Sequence, residues 1–151
     1  ASFVSQNVGA GSEKRAKNTM FTGIGVGVLI GMVVFALVLL KGDFLTGIFT
    51  TDADVIQKGY DYLKGFALET IVTAILFSMI GYFNGHDQTM WVMAQGLIQT
   101  LLIRLPLAYY MSIQPNASLT NIGFAAPVAT IFGIVLNIGF FVWMNKARKC
   151  I

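Results

Sequence analysis

The chain has 151 residues, of which 56% are apolar and 11% are charged, with a formal net charge of +3. Soluble domains usually carry about 25% charged residues, so the composition excludes an ordinary soluble globule and favours a membrane protein. The basic runs lie beside apolar segments, as is typical of the flanks of membrane helices rather than of a nucleic-acid surface. The single cysteine excludes an intrachain disulfide.

Four apolar segments are long enough to cross a bilayer, whose hydrocarbon core requires about 20 helical residues. They are predicted at residues 18–40, 65–85, 89–112 and 122–144. Residues 1–11 have the composition of a helix end, which indicates that residues 1–151 are the C-terminal part of a longer protein. The predicted fold is an all-α, polytopic membrane bundle of four transmembrane helices plus a partial one.

The connections between these segments differ in length. Residues 51–64 predict a helix that either lies at the membrane surface or runs directly into the second segment. The connection at residues 86–88 is so short that the second and third segments should be antiparallel neighbours, and residues 114–118 predict a turn. Lysine and arginine are more frequent around residues 11–17 and at the C-terminus, which predicts a cytoplasmic C-terminus.

Small residues and prolines mark the helix surfaces. Gly23, Gly27 and Gly31 recur at every fourth position, a spacing that lets helix backbones approach closely in lipid. They serve ordinary helix packing or an interface that slides. Pro106 and Pro127 each leave a backbone carbonyl without its helical donor, which predicts kinks that could act as hinges.

Two charged residues fall inside apolar segments, Glu69 in the second and Arg104 in the third. A charge within the bilayer is costly and usually faces a cavity or a partner. Both residues fall in the outer half of the membrane under the predicted orientation, so we hypothesise that they pair or share a polar cavity. Alternatively, Glu69 reaches the outer interface or responds to protons or cations, and Arg104 binds backbone carbonyls.

Further polar side chains share helix faces. Thr73 follows Glu69 by four residues, Gln99 follows Gln95 by four, and Asn137 continues the small-residue side of the fourth segment. They form interhelical hydrogen bonds or line a substrate path. His86 is predicted to be an ordinary loop residue. No catalytic triad, phosphate-binding loop or metal-ligand cluster occurs in the sequence, so neither an enzyme nor a metal site is predicted.

Five motifs occur in an order that resembles the multidrug and toxic compound extrusion (MATE) family. They are ASFVSQNVGAGSEKRAK, IFTTDADVIQKGYDYLKGF, GYFNGHDQTMWVMAQGL, IRLPLAYYMS and PNASLTNIGFAAPVATIFG. The resemblance implies most of the C-terminal lobe of a twelve-helix antiporter in the cell membrane, with the four segments as helices nine to twelve. Such a protein exports amphipathic or cationic compounds by alternating access, in exchange for Na⁺ or H⁺.

The resemblance also implies partners and a coupling position. The partners would be the N-terminal lobe of the same polypeptide, the lipid bilayer and a small-molecule substrate, with no nucleic acid and no cofactor besides the coupling ion. One branch of the family carries a coupling aspartate at the position of Thr73, one turn from Glu69, so both are ion-coupling candidates. The alternatives are a lipid-linked oligosaccharide flippase of the same superfamily and a small structural membrane subunit.

Overall fold

A computed structural model describes residues 1–114 and 119–147 of the chain. The predicted turn at residues 114–118 and the C-terminal basic run therefore lie largely outside the described residues. The described residues form helices α1 (Ser2–Gly9), α2 (Glu13–Gly47), α3 (Ala53–Asn84), α4 (Thr89–Leu97), α5 (Leu105–Ser112) and α6 (Leu119–Ala147), with a π-helical segment at Ile98–Arg104.

Four helical spans are long and apolar enough to cross a membrane: Glu13–Gly47, Ala53–Asn84, Thr89–Ser112 and Leu119–Ala147. This confirms the predicted all-α membrane bundle. The helix predicted at residues 51–64 runs directly into the second span as part of α3. Its start is capped by Asp52, whose Oδ1 accepts the backbone N–H of Asp54 at 2.9 Å, because the first N–H groups of a helix have no partner within it.

The first span extends beyond its predicted end at residue 40. Helix α2 bends at Lys41, which has non-helical dihedrals of φ −137° and ψ 26°, and continues to Gly47. Close to the bend, the Tyr60 hydroxyl donates to the carbonyl oxygen of Leu39 at 2.9 Å. The bend is thereby tied to the first half of α3.

Helix α3 lies at the centre, packed against α2 on one side and α6 on the other. The third span packs mainly on α6, and among the described residues it meets α3 only through α4. The second and third segments are therefore neighbours only near their connection. A close approach of α3 and α6 explains this arrangement, since a Cβ added at Gly123 would lie 2.6 Å from the carbonyl oxygen of Tyr62.

The glycine stripe of α2 faces α3. A Cβ added at Gly31 would lie 2.9 Å from the carbonyl oxygen of Thr70, and one at Gly27 would lie 3.0 Å from Ala74 Cβ. At Gly23 the nearest atom is Ser78 Oγ at 3.4 Å. The stripe thus serves close helix packing, and its use as a sliding interface stays a prediction.

The two prolines have different effects on their helices. The π-helical segment ends at Arg104, and Pro106 stands in the first turn of α5. Departure from α-helical geometry is expected there because proline lacks an N–H and clashes with the carbonyl four residues earlier. Helix α6 continues through the buried Pro127 without interruption. A hinge at this residue stays a prediction.

The core of the described bundle lies at one end, which we term the base: the end where α2 and α4 begin and α6 finishes. Buried apolar residues from α1, α2, α3 and α6 meet there, namely Val4, Ala16, Met20, Met79, Tyr82, Phe83 and Met144. Elsewhere the outer surface of α2 and the third span is exposed and apolar. Lipid or further protein can cover such a surface.

Candidate functional site

Glu69 is a buried carboxylate in the middle part of α3, with 9% of its surface exposed. Its Oε1 accepts a hydrogen bond from the hydroxyl of Thr130 on α6, at 2.9 Å. Its Oε2 is buried and has no hydrogen-bond partner among the described residues. An ionisable carboxylate is therefore held inside the apolar bundle by the Thr130 hydroxyl, and its second oxygen has no hydrogen-bond partner among the described residues.

The hydrogen bond to Glu69 is the last link of a longer set. Gln99, in the π-helical segment, donates from Nε2 to Thr130 Oγ1 at 3.2 Å. Gln95, on α4, donates from Nε2 to Gln99 Oε1 at 2.6 Å. We call Gln95, Gln99, Thr130 and Glu69 the Glu69 network. It crosses from the third span over α6 to α3, and every donor in it points towards the carboxylate.

A glycine makes room for the network on α6. A Cβ added at Gly133 would lie 2.4 Å from Gln99 Oε1 and 2.7 Å from Gln95 Nε2. Both glutamine side chains are buried against this backbone. The small residue therefore leaves room for Gln95 to bond Gln99 and for Gln99 to bond Thr130.

Two other polar atoms, Thr73 Oγ1 on α3 and Asn137 Nδ2 on α6, are buried without a hydrogen-bond partner in the described part of the chain. Thr73 lies one helical turn beyond Glu69, and Asn137 Oδ1 accepts from Trp91 Nε1 at 3.0 Å. Buried polar groups nearly always have partners. These two atoms are therefore, with Glu69 Oε2, candidate positions for a polar ligand.

The predicted pair of Glu69 and Arg104 is not formed. The ion pairs of the described residues involve Lys17, Lys58, Lys64 and His86 with Glu13, Asp54 and Asp61, and neither Glu69 nor Arg104 takes part. The reason is topological, because α6 rather than the third span packs along α3 at this level. Arg104 is half-buried at the end of the π-helical segment, and the position of Glu69 relative to the outer membrane interface stays a prediction.

Sequence reasoning singled out Glu69, Gln95, Gln99 and Thr73 but missed Thr130, which joins three of the spans. A signal for it was present. Thr130 precedes Gly133 by three residues and Asn137 by seven, so helical periodicity places all three on one face of α6. A single hydroxyl that follows Ala129 and precedes Ile131 in an apolar helix is typical of packing rather than of a site.

His86 lies in the turn after α3, where the sequence predicted a loop residue. It is buried there, with 6% of its surface exposed. Its ring contacts Glu13 at the start of α2 and the backbone of Tyr82 in the last part of α3. Within residues 1–114 and 119–147, no group of three or more His, Cys, Asp or Glu side chains is arranged to hold a metal ion.

Comparison with known proteins adds a family match. The model of the MatE family matches residues 1–110. The chain is also similar to multidrug and toxin extrusion protein 1 of Homo sapiens and of Pongo abelii, at 21% identity over 147 residues in both cases. The alignments cover 97% of this chain and 26% of the relatives, so the chain spans about a quarter of their length. No solved structure matches the chain.

Proposed function

Because the chain belongs to the MatE family, we propose that it is part of a secondary active exporter driven by an inward flow of Na⁺ or H⁺. The exporter would move amphipathic or cationic drugs or metabolites out of the cell by alternating access. Extrusion is the activity named for the two similar proteins. The N-terminal lobe of the same polypeptide would supply the other half of the substrate cavity, and the base would face the cytoplasm.

The observation that carries this proposal is the free Oε2 of the buried Glu69. Removing an ionised carboxylate from water costs several kcal/mol, and a single hydroxyl donor offsets only about 1.5–3 kcal/mol of that cost. Binding of a proton or a sodium ion neutralises the charge. Glu69 therefore has the physical properties of an ion-coupling residue, and the unpartnered Thr73 Oγ1 one turn away offers a second oxygen.

The Glu69 network also provides a route from ion binding to movement. Thr130 connects Glu69 on α3 with Gln99 in the π-helical segment. A change of charge at Glu69 alters the strength of the Thr130 hydrogen bond, because hydrogen bonds to charged groups are stronger than those between neutral groups. Ion binding would thereby shift the relative stability of two arrangements of α3, α6 and the third span.

Efflux of a fluorescent cation such as ethidium, from cells that express the full-length protein, tests the proposal. Glu69→Gln keeps the side-chain size but removes the ionisable group. We expect ion-driven efflux to fall by about 5-fold to 150-fold, the usual range of coupling free energies, at unchanged membrane expression. Asp54→Asn is the matched control, because it neutralises an exposed acid that pairs with Lys58, and it should leave efflux near the wild-type rate.

Two outcomes count against different parts of the proposal. Wild-type efflux that persists unchanged in Glu69→Gln would show that Glu69 does not couple the ion. Absence of any efflux by the wild-type protein would reject the exporter itself and leave the flippase as the alternative to assay. Replacing external Na⁺ with choline, and separately adding a protonophore, identifies the ion.

A further inference from the structure

The ring of His86 is held between two acceptor groups at the base of the bundle. Its Nδ1 lies 2.9 Å from the carbonyl oxygen of Tyr82, and its Nε2 lies 3.0 Å from Glu13 Oε2. A backbone carbonyl can only accept a hydrogen bond. Nδ1 must therefore carry a proton, which in a neutral imidazole leaves Nε2 with a lone pair that faces the carboxylate.

Two donors and a helix start surround the Glu13 carboxylate. Its Oε1 accepts a hydrogen bond from the Tyr82 hydroxyl, and Lys17 Nζ lies 3.9 Å from the same oxygen. Glu13 also stands in the first turn of α2, where the partial positive charge of the helix N-terminus stabilises an anion. An ionised carboxylate only accepts hydrogen bonds, so an ionised Glu13 requires Nε2 to be a donor as well.

We propose that Glu13, Tyr82 and His86 form a proton-binding site, in which His86 is held as an imidazolium between the Tyr82 carbonyl and the Glu13 carboxylate. The proton ties the start of α2 to the turn after α3. Without it, two acceptors face each other at 3.0 Å and the contact becomes repulsive. Along α3, Tyr82 lies about 20 Å from Glu69 at a rise of 1.5 Å per residue. This site is therefore separate from the Glu69 network.

Other charged residues lie on the elements that meet at the base. Lys17 on α2 faces Glu13 and lies above the ring of Phe141 on α6. Lys146 lies one helical turn beyond Phe141 on α6, and Asp87 follows His86 but is exposed. Helix α1 contributes apolar packing through Val4. Glu13 thus supplies the negative charge that contacts the imidazole ring in the described structure.

Histidine-selective ¹⁵N labelling of the full-length protein in lipid bilayers tests this site by solid-state NMR. The spectrum is recorded at about pH 7.5, where most free imidazole is neutral, and His86→Gln assigns the signals. We expect protons on both ring nitrogens of His86. Glu13→Gln should remove one of them, because the new amide can donate to a neutral Nε2 and keeps the hydrogen bond from Tyr82.

Asp87→Asn is the matched control for Glu13→Gln. It removes a neighbouring negative charge, and asparagine tolerates the positive φ of 59° at this position. It should leave both protons on His86. An unprotonated ring nitrogen in the wild-type protein would overturn the proposal, as would two protonated nitrogens in folded Glu13→Gln. If Glu13→Gln does not fold, the wild-type spectrum alone decides, and no outcome depends on transport.

Discussion

A methyl group added at Gly133 should break the Glu69 network. The new Cβ would lie 2.4 Å from Gln99 Oε1 and 2.7 Å from Gln95 Nε2, so both buried amides must move away from α6. Gly139 lies on the same helix and has no atom within 4 Å of an added Cβ. Gly139→Ala is therefore the matched control for Gly133→Ala.

The size of the effect follows from the two hydrogen bonds of Gln99, to Gln95 and to Thr130. Each contributes about 0.5–1.5 kcal/mol in a protein, and comparable bonds in membrane proteins average about 0.6 kcal/mol. Both variants gain about 1 kcal/mol from replacing a helical glycine with alanine. This gain cancels in the comparison, so Gly133→Ala should be less stable than Gly139→Ala by about 1–3 kcal/mol.

The assay is equilibrium unfolding of the full-length protein in mixed lipid–detergent micelles, with increasing SDS and tryptophan fluorescence as the signal. Trp91 reports on the neighbourhood of the network through its bond to Asn137. Equal stabilisation by Gly133→Ala and Gly139→Ala would refute the reasoning, because it would show that the two glutamines move at no cost. Efflux measured on the same variants should be lower only for Gly133→Ala.

Three further substitutions test the helix contacts and the site. Gly31→Ala would place a Cβ 2.9 Å from the carbonyl oxygen of Thr70, whereas Gly25→Ala meets no atom within 4 Å. Gly31→Ala should therefore be less stable than Gly25→Ala by about 1–3 kcal/mol in the same SDS unfolding assay. Tyr60→Phe, which removes a hydrogen bond at the bend of α2, should lower stability by about 1 kcal/mol in that assay. Thr130→Val removes the hydroxyl donor to the Glu69 carboxylate and should lower the ion concentration for half-maximal efflux, whereas Thr130→Ser should not.

The membrane fold could be predicted from sequence because long apolar runs leave few other structures. Residues 18–40 and 122–144 carry no charge and lie within α2 and α6. The ends of the helices were harder to predict. Helix α2 continues beyond Lys41 because the Tyr60 hydroxyl and the packing of α3 stabilise the bend. Contacts from a residue so distant in the chain leave no pattern in the sequence around Lys41.

The site was predicted in part because intramembrane polar residues are rare enough to stand out. Glu69, Gln95 and Gln99 could be singled out by chemistry alone, but their partners depend on helix order. A short turn suggested that the second and third spans were neighbours, whereas Gly123 allows α6 to pack on α3. Thr130 therefore replaces Arg104 as the partner of Glu69. The burial of His86 could not be predicted, because a polar residue in a short turn is usually exposed.

The direction of the hydrogen bonds in the Glu69 network determines where a coupling ion can bind. The amide of Gln95 donates to Gln99, the amide of Gln99 donates to Thr130, and the Thr130 hydroxyl donates to Glu69 Oε1. A cation or proton on Oε1 would compete with that last donor, and reversing the network would require both amides to turn inside a buried contact. Oε2 has no such competitor. For the proposed exporter, we therefore expect the ion to bind Oε2 while the network keeps Oε1 oriented.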